Sequence, residues 1–137
     1  MKQGYLYRLF FGESSRRCSA LIIAVGMMIG LLPKENLLAA FFALILVLIP
    51  GRLVYGIAAI VGFTLLSIPL DPFADRIGTR LLDNSAIQTL GSTLYMFPLG
   101  AWTMLNNTIV AGHLLIGCVL FYPVYFLSAK VIKGIRV

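Results

Sequence analysis

The chain contains, at residues 26–37, the sequence GMMIGLLPKENL, in which a proline and three polar residues interrupt a long apolar region. The apolar segments on either side, 18–32 and 37–49, have 15 and 13 residues. As helices they would be about 22 and 20 Å long, whereas a hydrocarbon core of about 30 Å needs about 20 residues. The pattern therefore predicts a re-entrant helical hairpin that enters and leaves the membrane on one side. Its polar turn has to pack against protein or line a polar cavity.

The composition indicates a polytopic membrane protein with a single domain. Apolar residues make up 60% of the 137 residues and charged residues 12%, whereas about a quarter of a soluble domain is charged. The net charge of +6 comes from basic residues that cluster near both ends of the chain, which favours contact with anionic lipid over nucleic-acid binding. We interpret Cys18 and Cys118 as buried apolar residues rather than a disulfide or metal pair.

Two longer apolar segments, 53–70 and 109–127, have 18 and 19 residues and predict membrane-spanning helices. Between them, 71–83 begins with an aspartate and a proline, typical of a helix start, and carries apolar residues at four-residue spacing among charges. This pattern predicts an amphipathic helix on the membrane surface. Segment 86–97 is another short apolar arm, ended by a proline. The mixed basic and aromatic residues of 1–17 favour an interfacial helix over an unstructured tail.

We therefore expect an all-α integral membrane protein with two re-entrant helical hairpins and two spanning helices in an inverted repeat, together with interfacial amphipathic helices. The single membrane domain would comprise an interfacial segment 1–17, a first hairpin plus spanning helix 18–70, a surface helix 71–83, a second hairpin plus spanning helix 84–127 and a basic cytoplasmic tail 128–137.

The distribution of basic residues predicts that both termini are cytoplasmic, since eight of the eleven would lie inside and two outside. The inner set is Lys2, Arg8, Arg16, Arg17, Arg52, Lys130, Lys133 and Arg136, and the outer set is Arg76 and Arg80. An alternative, in which each short arm spans a thin membrane, also places both ends inside.

Polar residues near membrane depth are the candidates for a substrate-binding site, because stranding them in lipid is costly. The set is Lys34, Glu35, Asn36, Trp102, Asn106, Asn107, Thr108 and His113. In this hypothesis the two turns, 33–36 and 98–108, meet near the midplane and form one polar site.

Each candidate also has a structural alternative. Lys34 and Glu35 would neutralise each other if the turn lies at the surface. His113, the single histidine, is more often a packed, hydrogen-bonded residue than a proton carrier. The amides and hydroxyl of 106–108 would serve helix capping or interhelical hydrogen bonds, and Trp102 would anchor the chain at the interface.

Four motifs, at 26–37, at 74–79 (ADRIGT), at 102–108 (WTMLNNT) and at 123–125 (PVY), resemble the small bacterial membrane proteins of domain of unknown function 2062. The likeness is to their short branch with the Leu-Asn-Asn-Thr motif and covers roughly 17–127. It implies a bacterial inner-membrane protein and, because short-branch members are often encoded beside a large envelope protein, an assembly partner. It supplies no activity. Arg52 stands where the wider family has an asparagine, so no role of that asparagine is carried over.

No motif of a soluble enzyme is present in the sequence, and we expect no catalytic activity, cofactor or metal. The expected function is membrane transport of lipid or another amphiphile, as a component of a larger envelope complex. The alternatives are a non-catalytic anchoring or assembly subunit for a larger membrane protein, and a small ion or solute transporter working as an oligomer. The expected partners are membrane lipids and a larger membrane or envelope protein, or a second copy of the chain, but not nucleic acid.

Overall fold

The computed structural model describes Gly4 and residues 15–135. Most of the predicted interfacial segment 1–17 and the last two residues of the predicted tail therefore lie outside the described residues. Residues 15–135 form five α-helices and one short 3₁₀ helix and contain no strand. These are α1 (Arg16–Leu31), α2 (Leu37–Leu48), α3 (Leu53–Leu82), α4 (Ser85–Tyr95), the 3₁₀ helix (Gly100–Thr103) and α5 (Thr108–Ile135).

Helices α1 and α2 form a helical hairpin with a polar turn at 33–36. The hydroxyl of Ser15 accepts a hydrogen bond from the Cys18 N–H at the start of α1, which satisfies one of the open donors of the first turn. Helix α1 ends at Leu31, two residues before Pro33, whose ring and missing N–H prevent the helix from continuing. The pattern of two apolar arms around a proline turn is thus confirmed.

Three helices, α1, α3 and α5, form the centre of the fold because small residues let their backbones approach closely. A Cβ added at Gly26 of α1 would lie 2.8 Å from the carbonyl oxygen of Gly56 in α3. One turn later, a Cβ at Gly30 would lie 2.7 Å from Cβ of Phe63, so α1 and α3 run parallel. Helix α5 is antiparallel to both: its residue Gly117 lies against Met28 of α1, and its first turns pack near the end of α1.

Helix α3 is one continuous helix of 30 residues, so the prediction of a separate surface helix over 71–83 was wrong. The reason is packing: Ala74 and Gly78 are buried, and Gly78 lies so close to Thr108 that an added Cβ would collide with its carbonyl oxygen. A helix lying on the membrane surface would not bury this face against α5. Because of this contact with α5, helix α3 continues past Pro69 and Pro72.

The last helix also extends beyond its predicted span, because α5 continues from Thr108 to Ile135 through most of the predicted tail. The predicted short arm 86–97 corresponds to α4. The segment that follows it is not a second helical arm, because within 98–107 only the four residues of the 3₁₀ helix are helical. A return arm over this stretch would be too short for stable helix, and Gly100 packs tightly against Leu94 in its place.

Two helices, α3 and α5, are long and apolar enough to cross a membrane by length and composition. Only 6% and 28% of the residues in their most apolar segments are buried. The core helix of a soluble protein would bury such a surface. The exposure of these apolar faces is compatible with a protein that sits in lipid.

Candidate functional site

Lys34 folds back onto the end of α1 and hydrogen-bonds its carbonyls. Its Nζ donates to the carbonyl oxygens of Ile29, Gly30 and Leu32 at 3.3, 3.1 and 3.3 Å. In a continuing helix the carbonyl of Ile29 would accept the N–H of residue 33, but Pro33 has none. Partial burial of the ammonium lowers the pKa of Lys34. The lysine thus caps α1, where a cation also opposes the negative end of the helix dipole.

Asn36 begins α2 and is almost fully buried. Its Oδ1 accepts the N–H of Leu38 at 2.8 Å, which is an N-cap. The side chain is 2% exposed, and its amide Nδ2 has no hydrogen-bond partner among the described residues. Glu35 lies beside it at the surface of the turn. The turn therefore presents one exposed carboxylate, and it buries one amide donor that is free to bind.

His113 lies on α5, buried to 1% exposure, opposite Asp71 of α3. Its Nε2 is 3.5 Å from Oδ1 of Asp71, whose side chain is 47% exposed. The backbone carbonyls of Ile109 and Ser67 face the ring, and Lys34 is near enough to act on it electrostatically. The first hairpin turn, the middle of α3 and the start of α5 therefore meet at this histidine.

An apolar cluster holds this junction together. Leu32 before the turn and Ala39 after it are buried with Val110 of α5. Val110 lies three residues before His113, so it fixes the first turns of α5 beside the hairpin. Of the eight predicted site residues, the structure thus brings Lys34, Asn36 and His113 to one place.

The segment 106–108 makes the helix caps and interhelical bonds that its structural alternative predicts. Asn107 Oδ1 accepts the N–H of Ile109 at 2.9 Å and so caps α5. The Thr108 hydroxyl donates to the carboxylate of Asp75, which joins the start of α5 to α3. These two side chains are engaged in holding the fold together.

Asn106 is paired with Tyr95 at the end of α4. The tyrosine hydroxyl donates to Oδ1 of Asn106 at 2.7 Å, and it accepts the backbone N–H of the same residue at 3.2 Å. Trp102 lies apart, in the 3₁₀ helix, and is 65% exposed. That helix contacts α2, so the second predicted turn does touch the helix that follows the first one.

The Tyr95–Asn106 pair is part of the lining of a groove of about 530 Å³ between α4 and α5, which the sequence did not reveal. The groove has a volume within the range of ~300–1,000 Å³ typical of small-molecule sites. Its apolar lining comprises Leu81, Leu82, Ile87, Leu90, Leu94, Leu105, Ala111, Leu114, Leu115 and Cys118. Its polar members are Gln88, Ser92, Tyr95 and Asn106. Cys118 is exposed here, so the prediction that it is buried was wrong.

Neither the groove nor the place of Asp71 in the site could be predicted from the sequence. Both depend on which residues of α3, α4 and α5 lie opposite each other. In the sequence, Asp71 showed only the pattern of a helix start. The alternation of leucines with Gln88 and Ser92 in α4 was the one available signal, since it marks a helix with one apolar face.

Comparison of the chain with protein-family models, with curated proteins and with solved structures finds no match.

Proposed function

We propose that the protein is a polytopic bacterial inner-membrane protein that binds and moves lipid or another amphiphile as a component of a larger envelope complex. The observation that carries the proposal is the groove between α4 and α5. Its apolar walls suit a hydrocarbon chain, and the Tyr95–Asn106 pair in its lining suits a polar head. An amphiphile is the class of ligand that requires both.

The position of the groove supports this assignment. It borders α5, which is long and apolar enough to span a membrane, and it lies on the open side of α4, none of whose residues is buried. In a bilayer a chain could enter such a groove sideways, without first passing through water. The apolar lining gives little support to the alternative of a small ion or solute transporter, whose path needs polar groups.

For the topology we propose that the hairpin α1–α2 is re-entrant and that both termini are cytoplasmic. The second half of the chain has no matching hairpin of two helices, so the expected inverted repeat is not carried forward. Helices α1 and α2 have 16 and 12 residues, about 24 and 18 Å, against about 30 Å of hydrocarbon. Lys34 of the turn acts electrostatically on His113, which faces Asp71, so the turn lies near the residue at which the apolar stretch of α3 ends. In this arrangement the turn approaches the far face of the bilayer from the cytoplasmic side. Membership of the domain of unknown function 2062 family is likewise a proposal, and it rests on the four motifs.

The amphiphile proposal is tested by photo-crosslinking in lipid nanodiscs with a phospholipid that carries a photoreactive acyl chain. We expect saturable crosslinks to α4 and to the groove face of α5. Leu115→Trp, which fills the groove, should abolish them. The matched control is Leu66→Trp, because Leu66 is an exposed leucine of α3 outside the groove.

Two results would refute the proposal. One is crosslinking spread evenly over the exposed faces of α3 and α5, as expected for bulk lipid. The other is equal loss in the Leu115→Trp and Leu66→Trp variants, since only one of them blocks the groove.

A second candidate, a non-catalytic anchoring or assembly subunit, is favoured by the apolar loop after α4. Met96, Phe97, Leu99 and Trp102 are 84, 64, 56 and 65% exposed, although they lie outside the helices that could span a membrane. Co-purification with a larger membrane protein in mild detergent would support this role. A clean monomer or homodimer from native membranes would count against it.

A further inference from the structure

His113 lacks the hydrogen-bond partners that a buried polar side chain normally has among its neighbours, as far as the structure describes them. It is 1% exposed, and neither ring nitrogen has a hydrogen-bond partner within the described part of the chain. A buried polar group without a partner costs about 1–3 kcal/mol. A ligand that lets both nitrogens form hydrogen bonds would remove this cost.

The groups around the ring are oxygen acceptors. Oδ1 of Asp71 lies 3.5 Å from Nε2, and the carbonyl oxygens of Ile109 and Ser67 also face the imidazole. A neutral imidazole has one N–H donor and one bare nitrogen, whereas an imidazolium has two donors. Since oxygen acceptors surround the ring, a second N–H would let both nitrogens form hydrogen bonds, and a proton supplies it. Burial of the ring opposes the charge that this creates, and the facing Asp71 carboxylate and the backbone carbonyls offset that cost.

The other charged groups near the ring are few. Lys34 of the hairpin turn opposes a second positive charge here, but its ammonium is held on the carbonyls at the end of α1. Glu35 is exposed on the turn, and Asp75, one turn further along α3, accepts the hydrogen bond of Thr108. Helix α2 has no ionisable residue, and the ionisable residues of α1 lie in its first turn, at the opposite end.

Asp71 connects the buried ring with the outside. Its side chain is 47% exposed, while the imidazole it faces is 1% exposed. It is also the first charged residue after the apolar stretch of α3, so it lies where a spanning helix would leave the hydrocarbon. A proton from the aqueous phase can therefore reach the carboxylate without crossing lipid.

We propose that His113 and Asp71 together form a proton-binding site. The Asp71 carboxylate takes a proton from a hydronium ion of the aqueous phase, which becomes water, and passes the proton to Nε2 of His113, which leaves an imidazolium–carboxylate pair. One proton is bound and no electrons move. The Nε2–H then donates a hydrogen bond to the carboxylate of Asp71, and the Nδ1–H is directed towards a backbone carbonyl oxygen. The site is separate from the groove between α4 and α5, so it stands whether or not that groove binds an amphiphile.

The test uses the single histidine of the chain. The full-length protein, labelled with ¹⁵N in the imidazole and reconstituted in lipid nanodiscs, gives ring-nitrogen NMR signals from His113 alone, provided that no histidine tag is present. We expect a reversible titration between about pH 5 and pH 8. In Asp71→Asn the midpoint should move to lower pH by about one unit or more, because an opposite charge at this distance shifts a titration by about 1–3 units.

The matched control is Asp83→Asn, which removes the carboxylate of the residue that follows α3 and should leave the midpoint unchanged. A wild-type protein whose imidazole signals stay constant from pH 5 to pH 8 overturns the proposal, and this measurement needs no variant to fold. Equal midpoints in the wild type and Asp71→Asn overturn the role of the carboxylate. Equal shifts in both aspartate variants would show a general charge effect and also contradict the pair.

Discussion

Gly112→Ala should separate α3 from α5, because the two backbones touch at this residue. A Cβ at Gly112 would overlap the carbonyl oxygen of Ala74. A backbone oxygen cannot rotate away as a side chain can, so the helices have to move apart. Gly62 provides the matched control, since it lies in α3 with no atom within 4 Å of its added Cβ.

The magnitude follows from two opposing effects. Replacing a helical glycine with alanine stabilises the helix by roughly 0.5–1 kcal/mol at either position. Overpacking costs about 1–3 kcal/mol, and contact with rigid backbone places Gly112 near the upper end, at about 3 kcal/mol. The gain in helix propensity applies to both variants. The difference between their free energies of unfolding therefore measures the cost of the collision alone. We expect Gly112→Ala to be less stable than Gly62→Ala by about 3 kcal/mol.

The assay is equilibrium unfolding in mixed micelles by titration with a denaturing detergent, followed by the fluorescence of Trp102, the single tryptophan. Gly62→Ala should be at least as stable as the wild type. If Gly112→Ala proves equally stable, the α3 and α5 backbones are not in contact and the described crossing is wrong.

Three further predictions concern the turns and the cap of α5. Lys34→Met should destabilise the hairpin by about 1–3 kcal/mol in the same unfolding assay, because carbonyls at the end of α1 lose their donor; stability equal to the wild type would show that the lysine is not a cap. Asn107→Ala should cost about 1 kcal/mol, whereas Asn107→Asp should retain the cap; equal losses in both would contradict the capping role. The third prediction concerns Glu35→Cys, in a chain whose native cysteines are replaced by serine. If the hairpin is re-entrant, this cysteine should not react with a membrane-impermeant maleimide on the cytoplasmic side of intact vesicles, since the turn lies far from that face. Labelling from the cytoplasmic side alone would place the turn there and refute the proposed depth, whereas free labelling from outside would favour arms that span.

Local sequence signals were sufficient for the hairpin but not for α3. Pro33 and the Pro50-Gly51 pair end helices through their own backbone chemistry, so the bounds of α1 and α2 agree closely with the predicted arms. Asp71 and Pro72 also have the chemistry of a helix start, yet the helix passes through them. Packing against α5, more than thirty residues further along the chain, keeps α3 continuous. The sequence alone does not show which residues of α3 and α5 lie opposite each other.

The candidate site could likewise be predicted only where a feature depends on neighbouring residues in the sequence. Capping by Asn107 follows from its place before an apolar helix, and it is the structural alternative predicted for 106–108. The pairing of His113 with Asp71 could not be predicted, because the two residues are 42 positions apart and meet only through the antiparallel packing of α3 and α5. The groove depends on the position of α4, which the sequence leaves open.

The crossing of α3 and α5 also has a consequence for permeation. Where two backbones touch without room for a methyl group, neither a file of water molecules nor an acyl chain can pass between them. No water-filled path can therefore run between the two helices where Gly78 and Gly112 cross the partner backbone. If the protein moves an amphiphile, as proposed, the route does not pass between α3 and α5 at this crossing.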